Sequence, residues 1–409
     1  MNEKNCIIGQ SGGPTVAINA SLAGVISRAQ DLGFKHIYGM INGIKGLIEN
    51  RYTDLNLIFQ SPELLNTLKE SPAMYLGSCR YKLKDINQDK KQYELLFHKF
   101  EELNITDFYY IGGNDSMDTV AKLSEYAKIT HSDIHFVGIP KTIDNDLMGT
   151  DHTPGFGSAA KYVASSMLEI AYDSSIYNLD SVTIVEIMGR NAGWLTAASA
   201  LARSSFNEAP DLIYLPEVPF IKENFLNDIR EVFKRKRSVI IAVSEGIKNA
   251  DGDYLDQDSK YVKKDAFGHI LHSGTGKVLE TIVFKEFQCK VRSIELNVLQ
   301  RCAMHNASKT DIEESFRIGV NAVNASENHT GIMMCFKRLS NHPYLIETEY
   351  KNVVDIANKE QRIPIEWINK KHNDITPELY DYLYPLIQGE VNVTYKDGIP
   401  FYINISHLK

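Results

Sequence analysis

An α/β fold built on parallel sheets is what this sequence predicts, and three observations predict it. Short β-branched or aromatic runs alternate with longer helical stretches along most of the chain, the pattern of strands joined by helical crossovers and covered on both faces. The chain has 409 residues, 43% of them hydrophobic, enough for ample core and for two or three domains. Its chemistry-bearing motifs fall just after strand candidates, where such sheets hold their ligands.

The strand candidates are residues 6–9, 108–111, 135–139, 182–187, 212–215, 239–243 and 291–296. The helix candidates are 14–31, 90–103, 116–128, 155–173, 192–203, 222–237, 274–287 and 309–325. Lys234-Arg235-Lys236-Arg237 closes a helix candidate, where cations complement the helix dipole, so it reads as structural. The last sixty or so residues are richer in charge, tyrosine and asparagine. They read as an appended layer in which Tyr380, Tyr382 and Tyr384 pack against the body, with nothing that suggests chemistry.

Composition narrows the function classes. A net charge of −8 argues against nonspecific nucleic-acid binding, which needs a basic surface. An acidic chain that handles anions must concentrate its cations locally. Cys6, Cys79, Cys289, Cys302 and Cys335 are odd in number, widely spaced and without a Cys-x-x-Cys pair. They fit reduced thiols rather than a disulfide framework or zinc site. The first residues run into a strand without a signal-peptide apolar region, and no apolar run approaches a membrane span. A cytoplasmic location with no membrane partner is the expectation.

The most informative motif is Pro140-Lys141-Thr142-Ile143-Asp144-Asn145-Asp146, directly after the apolar run 135–139. One cation, one hydroxyl and two carboxylates two residues apart suit phosphoryl chemistry. In an extended loop that spacing points Asp144 and Asp146 the same way. Gly9-Gln10-Ser11-Gly12-Gly13-Pro14-Thr15 follows the first strand and opens the first helix. Its glycines allow close backbone approach to a phosphate, and the helix start offers unpaired amides. No Gly-Lys-Ser/Thr follows, so it is not a Walker A loop. Gly112-Gly113-Asn114-Asp115-Ser116 repeats the arrangement with a carboxylate; Asp115 and Ser116 also suit a helix cap. Gly77-Ser78-Cys79-Arg80 adds a cation, Met188-Gly189-Arg190 follows a strand carrying Glu186, and Ser244-Glu245-Gly246 follows another. Arg292 and Arg301 flank the next apolar stretch; at strand ends, arginine is a good bidentate phosphate ligand.

Together these motifs resemble the phosphofructokinase family: Gly12-Gly13-Pro14 with Asn19-Ala20, Gly-Gly-x-Asp-Ser, Pro-Lys-Thr-Ile-Asp-Asn-Asp, Met-Gly-Arg-Asn-Ala-Gly-Trp and Leu-Gln-Arg, in order over about residues 5–330. Their form resembles the pyrophosphate-dependent branch more than the ATP-dependent one. The resemblance implies two Rossmann-like parallel-sheet domains facing across a cleft, both discontinuous, with a C-terminal extension. The expected division is 1–155 plus about 300–345 for the phosphoryl donor, about 156–299 for the sugar phosphate, and about 346–409 packing on the body. It implies reversible phosphoryl transfer to the 1-hydroxyl of fructose 6-phosphate, a glycolytic and gluconeogenic step, with Mg2+, in a homodimer or homotetramer with sites near subunit boundaries.

Donor choice is argued from bulk and charge. ATP-dependent relatives carry glycine at the position of Asp115 and a small residue at that of Lys141, leaving room for the α-phosphate. Here Asp115 fills and repels, while Lys141 pairs with pyrophosphate; Asp115 and Lys141 can also stabilise each other across the site. By the same resemblance Asp144 is the general base. Asp146 orients the nucleophile or the metal, and Thr142 hydrogen-bonds the transferring group. Gly12, Gly13, Arg80, Asn114, Asp115, Ser116 and Lys141 bind the donor. Met188, Gly189, Arg190, Glu245, Arg292 and Arg301 bind the sugar phosphate. Asp115 and Asn114 are the candidate metal residues.

Three positions depart from the family pattern. Asn114 replaces a metal-associated aspartate, Val298 replaces a histidine, and Ser181 stands where an arginine reaches into the neighbouring subunit. The 6-phosphate pocket is therefore open to rearrangement, and sedoheptulose 7-phosphate becomes an additional candidate acceptor. ATP as donor is the alternative within the enzyme class. A non-catalytic regulatory subunit is the alternative outside it, against which the retained base Asp144 counts.

Overall fold

The computed structural model describes residues 4–79, 81–255, 263–264, 270–271 and 274–408. Arg80, one of the expected donor ligands, lies outside the described residues.

Two sheets organise the chain. The first is built from β1 (Asn5–Gln10), β2 (His36–Met40), β3 (Tyr52–Asp54), β4 (Ile105–Gly112) and β5 (His135–Pro140). The second holds β6 (Ser181–Ile187), β7 (Leu212–Tyr214), β8 (Ser238–Ser244) and β9 (Lys290–Glu295). The chain then returns to the first sheet with β10 (Ile332–Asn341) and β11 (Tyr344–Asn352). The strand orders are β11-β10-β5-β4-β1-β2-β3 and β9-β6-β8-β7. The second sheet is wholly parallel; in the first, only β3 and β11 run antiparallel to their neighbours.

Register explains why distant motifs meet. Gln10 pairs with Ile111, and Ile111 with Ile139, so the loops after β1, β4 and β5 leave the sheet side by side. On the second sheet, Ile187 pairs with Ser244 and Glu186 with Glu295, which sends Met188, Glu245 and Leu296 out together. Each set of three loops emerges from the carboxyl end of its sheet, where ligands bind in this architecture.

Helices α1 (Ile18–Asp31), α2 (Lys90–Glu102), α3 (Asn114–Thr130), α4 (Phe156–Ser175), α5 (Trp194–Ala198), α6 (Lys222–Phe233), α7 (Thr275–Phe287) and α8 (Lys309–Ser326) supply the layers. α1 and α8 cross at close range on one face of the first sheet. A Cβ on Gly24 would lie 2.1 Å from the Phe316 carbonyl oxygen, and one on Gly319 would lie 2.2 Å from that of Ser21. Only glycine permits that approach. β1 is buried on both faces, Cys6 and Ile8 packing in one layer and Ile7 in the other, as doubly covered parallel strands require.

All seven expected strands and eight expected helices are present, with shifted ends. The first helix begins at Ile18 rather than 14, so Val16 and Ala17 separate it from the glycine loop. The stretch expected at 192–203 is one short helix followed by a 3-10 turn over Ser199–Ala202. α6 stops at Phe233, and Lys236 pairs with Asp211 at 2.6 Å beyond it. β2, β3, β10 and β11 were not legible. β2 is short and contains Gly39; β10 opens on Ile-Met-Met-Cys, whose methionines suit helices as well as strands.

The C-terminal residues are more than a covering layer. Tyr382, on α9 (Pro377–Leu383), is buried, with its ring 5.3 Å from that of Trp194 and 5.4 Å from that of Trp367. Tyr380 and Tyr384 instead stack on each other at 6.1 Å, Tyr384 staying exposed. All five cysteines are unpaired. Among the described residues, no helix is long and apolar enough to cross a membrane.

Candidate active site

Lys141 is the centre of the first loop set. Its ammonium is buried and donates to the Gly13 carbonyl at 2.7 Å, while its amide donates to Gly112 O at 2.9 Å. The lysine thereby joins the three loops that register brings together. Gly12 sits at φ +81°, and a Cβ there would stand 3.1 Å from the Lys141 ammonium. Burial pushes the Lys141 pKa down to about 8, with nearby Arg301 in the same direction and Asp144 and Asp146 opposing.

The carboxylate pair is presented by a turn rather than by an extended loop. Asn145 takes φ 54°, and its side chain is buried away from the pair, donating to the Tyr382 hydroxyl at 3.0 Å and accepting from Thr153 N at 2.9 Å. Asp144 N donates to the Thr142 hydroxyl at 3.1 Å. The positive φ at Asn145 makes this a turn, so strand-like alternation does not set the directions of Asp144 and Asp146, although Asp144 is near enough to raise the Asp146 pKa. Burial raises both pKa values. Lys141, Arg190 and Arg301 pull Asp144 back, whereas Asp144 and Glu360 add to the rise at Asp146.

On the second sheet, Ser244 donates to Gly189 O at 2.6 Å, and Met188 N donates to Gln300 Oε1 at 3.3 Å. Gly189 N reaches Glu245 Oε1 at 3.4 Å, and Glu245 N donates to Ile187 O at 2.9 Å. Burial pushes Glu245 up to about 8, Asp144 and Glu186 adding to it and Gly189 N and Arg190 opposing. The Asp144 contribution to the charge at Glu245 is the electrostatic sign that the two loop sets face each other. Buried Arg190 Nε has no partner among the described residues. Glu186 is structural: its carboxylate accepts from Gly276 N at 2.7 Å and Gly274 N at 3.3 Å, at the start of α7, where negative charge complements the helix dipole.

Several expected residues stand differently. Asp115 is exposed and pairs with Lys82 at 3.7 Å. The expected Asp115–Lys141 pairing is replaced by this one, because the lysine ammonium is drawn to Gly13 O instead. The helix cap is Gly113, not Asp115 or Ser116. Ser116 is buried under Gly112, where an added Cβ would lie 1.9 Å from its hydroxyl. Arg301 touches the donor loop, a Cβ on Gly13 lying 3.3 Å from its guanidinium. Arg292 is exposed, bound to Asp173 at 2.8 Å and opposite Thr183. Five residues short of Met188, it stands roughly 16 Å back along the sheet. The structure does not bring it to the loop cluster.

Sequence reasoning missed Lys82, Glu360 and Tyr382 as neighbours of the site. Lys82 lies two residues past Arg80, a signal that was available. Glu360 and Tyr382 carry no local motif; only the return of the C-terminal chain brings them here. Among the described residues, no three His, Cys, Asp or Glu side chains converge to hold a metal. The buried Asn114 Oδ1, at the first residue of α3, has no partner among the described residues.

Known proteins share this architecture. The family model for phosphofructokinase matches residues 5–326. A pyrophosphate--fructose 6-phosphate 1-phosphotransferase from Halomonas elongata is 37% identical over 405 residues, 98% of this chain and 96% of its own. A sulfofructose kinase from Alkalicoccus urumqiensis is 32% identical over 375 residues, 91% of each chain. The crystal structure of a pyrophosphate-dependent phosphofructokinase from Nitrosospira multiformis superposes with a TM-score of 0.87 at 36% identity, covering 98% of this chain and 96% of the other.

Proposed function

This chain belongs to the phosphofructokinase family, and we propose that it transfers a phosphoryl group from pyrophosphate to the 1-hydroxyl of fructose 6-phosphate. The observation that carries the reading is the buried Lys141 ammonium on the Gly12–Gly13 loop, beside the Asp144–Asp146 turn. A compact, multiply charged anionic donor fits that arrangement: the cation offsets part of its charge, and Asp115 and Lys141 stand where a nucleotide would need small residues.

Phosphoryl transfer is mainly positioning plus electrostatics. Lys141 and Arg301 flank Gly13 and stabilise charge on the transferring group, together with the amides at Gly12 and Gly13; Arg80 and Ser116 join them on the donor side by resemblance. Asp144 takes the proton from the sugar hydroxyl, its basicity raised by burial. Asp146 and Thr142 orient it. On the facing side, Arg190 has a buried Nε, unpartnered among the described residues, to offer an anion, and Met188 and Gly189 shape the pocket. Glu245 meets the sugar hydroxyls and, held protonated near neutrality by burial, donates to them as well as accepting. Asp115 and Lys82 form the outer wall of the donor site.

Oxygen-only donors suit magnesium, which binds through one or two protein oxygens and completes its shell with phosphate and water. The unpartnered Asn114 Oδ1 and nearby Asp115 would hold it; bound there, it supplies charge neutralisation on the donor. Arg292 enters the reading only through a second copy of the chain, in a homodimer or homotetramer with sites near subunit boundaries. Residues 1–155 with about 300–345 then handle the donor and about 156–299 the sugar phosphate in a cytoplasmic enzyme, with about 346–409 as an extension packing on the body.

A donor and acceptor matrix tests this. Pyrophosphate, ATP and GTP are offered against fructose 6-phosphate, sedoheptulose 7-phosphate and sulfofructose. Turnover is expected with pyrophosphate and fructose 6-phosphate, and fructose 1,6-bisphosphate plus phosphate should regenerate pyrophosphate at a comparable rate. Activity with ATP alone would overturn the donor assignment.

A further inference from the structure

The segment around Glu360 lies outside the family model, which ends at residue 326, yet it touches both loop sets. On the donor side it makes one antiparallel bridge with the end of the catalytic turn. Leu147 bridges Glu360, and Gln361 N donates to Asp146 O at 2.8 Å. On the sugar side, Asn191 Nδ2, immediately after Arg190, donates to Glu360 Oε1 at 2.7 Å. The segment is itself anchored there: Trp194 Nε1 donates to Gln361 O at 3.1 Å. Ile363 N and Gly193 N share Glu217 Oε1 at 3.2 and 2.8 Å. Arg362 stands 3.7 Å from the other oxygen of Glu360.

The two halves of the site belong to different sheets, so their spacing is not set by either sheet's ladder. A tie that holds one loop by backbone and the other by a side chain sets it directly. We propose that Glu360 is a positioning residue for phosphoryl transfer, holding the sugar-side loop through Asn191 at a defined distance from the Asp144–Asp146 turn. The inference rests on the reading of these loops as acceptor and donor sides. The bond is charge-assisted and about one-third exposed at Glu360, so it governs geometry rather than fold stability. Loosening it should lower turnover more than it weakens donor binding, since small misplacements of reacting groups are costly.

The test is a paired substitution series. Glu360→Ala and Asn191→Ala should each lower kcat about 10-fold or more with the KM for pyrophosphate nearly constant, and the double variant should be no worse than either. Glu360→Gln keeps an acceptor oxygen and should retain most turnover. Asn191→Asp should set two carboxylates against each other and lose activity, and adding Glu360→Gln should restore it by reversing the bond. Amide exchange over residues 188–193 reads the tie without turnover: both alanine variants should speed it, and Glu360→Gln should not. Additive losses, a Glu360→Gln variant as poor as Glu360→Ala, or unchanged exchange would overturn the proposal. Wild-type protein inactive with every donor would overturn the functional reading instead, leaving exchange to judge the tie.

Discussion

At the scale of single residues, Lys141 shows how burial turns a common side chain into a selective one. Its ammonium is removed from water and held by one carbonyl, so it seeks an anion of fitting size. Burial lowers its pKa to about 8; the charge is present below that value and lost above it. We therefore expect kcat/KM for pyrophosphate to fall on the alkaline side of about pH 8. In Lys141→Arg the guanidinium stays charged throughout. That variant should be less active, because the Gly13 contact is misplaced, but its pH profile should lose this limb. A limb that survives unchanged would assign it to another group, with Glu245 the nearest alternative on the sugar side.

At the scale of elements, the catalytic turn is fixed from behind by a buried polar cluster. Asn145 donates to Tyr382, whose hydroxyl donates to Asp151 O at 2.7 Å. Next to it, His152 is buried between Asp151 Oδ1 and Glu314 Oε2, each at 2.8 Å, with its ring stacked on Phe336. Arg338 Nε and a terminal nitrogen bind Asp151, and Tyr344 donates to Glu314. Burial alone would lower the His152 pKa, but the two carboxylates outweigh it and raise it to about 9. A histidine raised in the folded state stabilises fully below its unfolded value near 6.5, and that contribution is lost as pH climbs through 9. On the order of 3 kcal/mol is at stake. Thermal unfolding from pH 6.5 to 9 should show a steeper decline in wild type than in His152→Gln. The variant should also be less stable at pH 6.5, since Asp151 and buried Glu314 lose the cation between them, Arg338 remaining on Asp151 alone. Parallel pH profiles would show that His152 is neutral in the fold.

At the scale of the whole molecule, the C-terminal residues complete the core as well as the site. Ile363, Ile368, Leu379, Tyr382, Leu383 and Leu386 are buried in the cluster that also holds Phe156, Met167 and Trp194. Burying six such side chains contributes on the order of 10 kcal/mol, comparable to the whole net stability of a typical domain. β11 also covers the edge of β10, pairing from Ile332–Asn352 to Asn341–Tyr344. A chain ended after residue 345 should therefore be recovered aggregated, with an open strand edge and an exposed apolar face. A soluble, monodisperse truncation on size exclusion would show that these residues are an independent layer.

The sequence alone determined the parallel-sheet class, the glycine loops and the turn bearing Lys141, Asp144 and Asp146, because strand periodicity and short motifs are local properties. It also placed those motifs at strand ends. What only tertiary structure decided is which groups meet. Asp115 turned to Lys82, Arg301 to Gly13, and Arg292 to Asp173, since long cations choose partners by where the backbone leaves them. Tyr382 and Glu360 reached the catalytic turn from more than two hundred residues away. No local pattern marks such a contact; it exists only once the chain has folded back across both sheets.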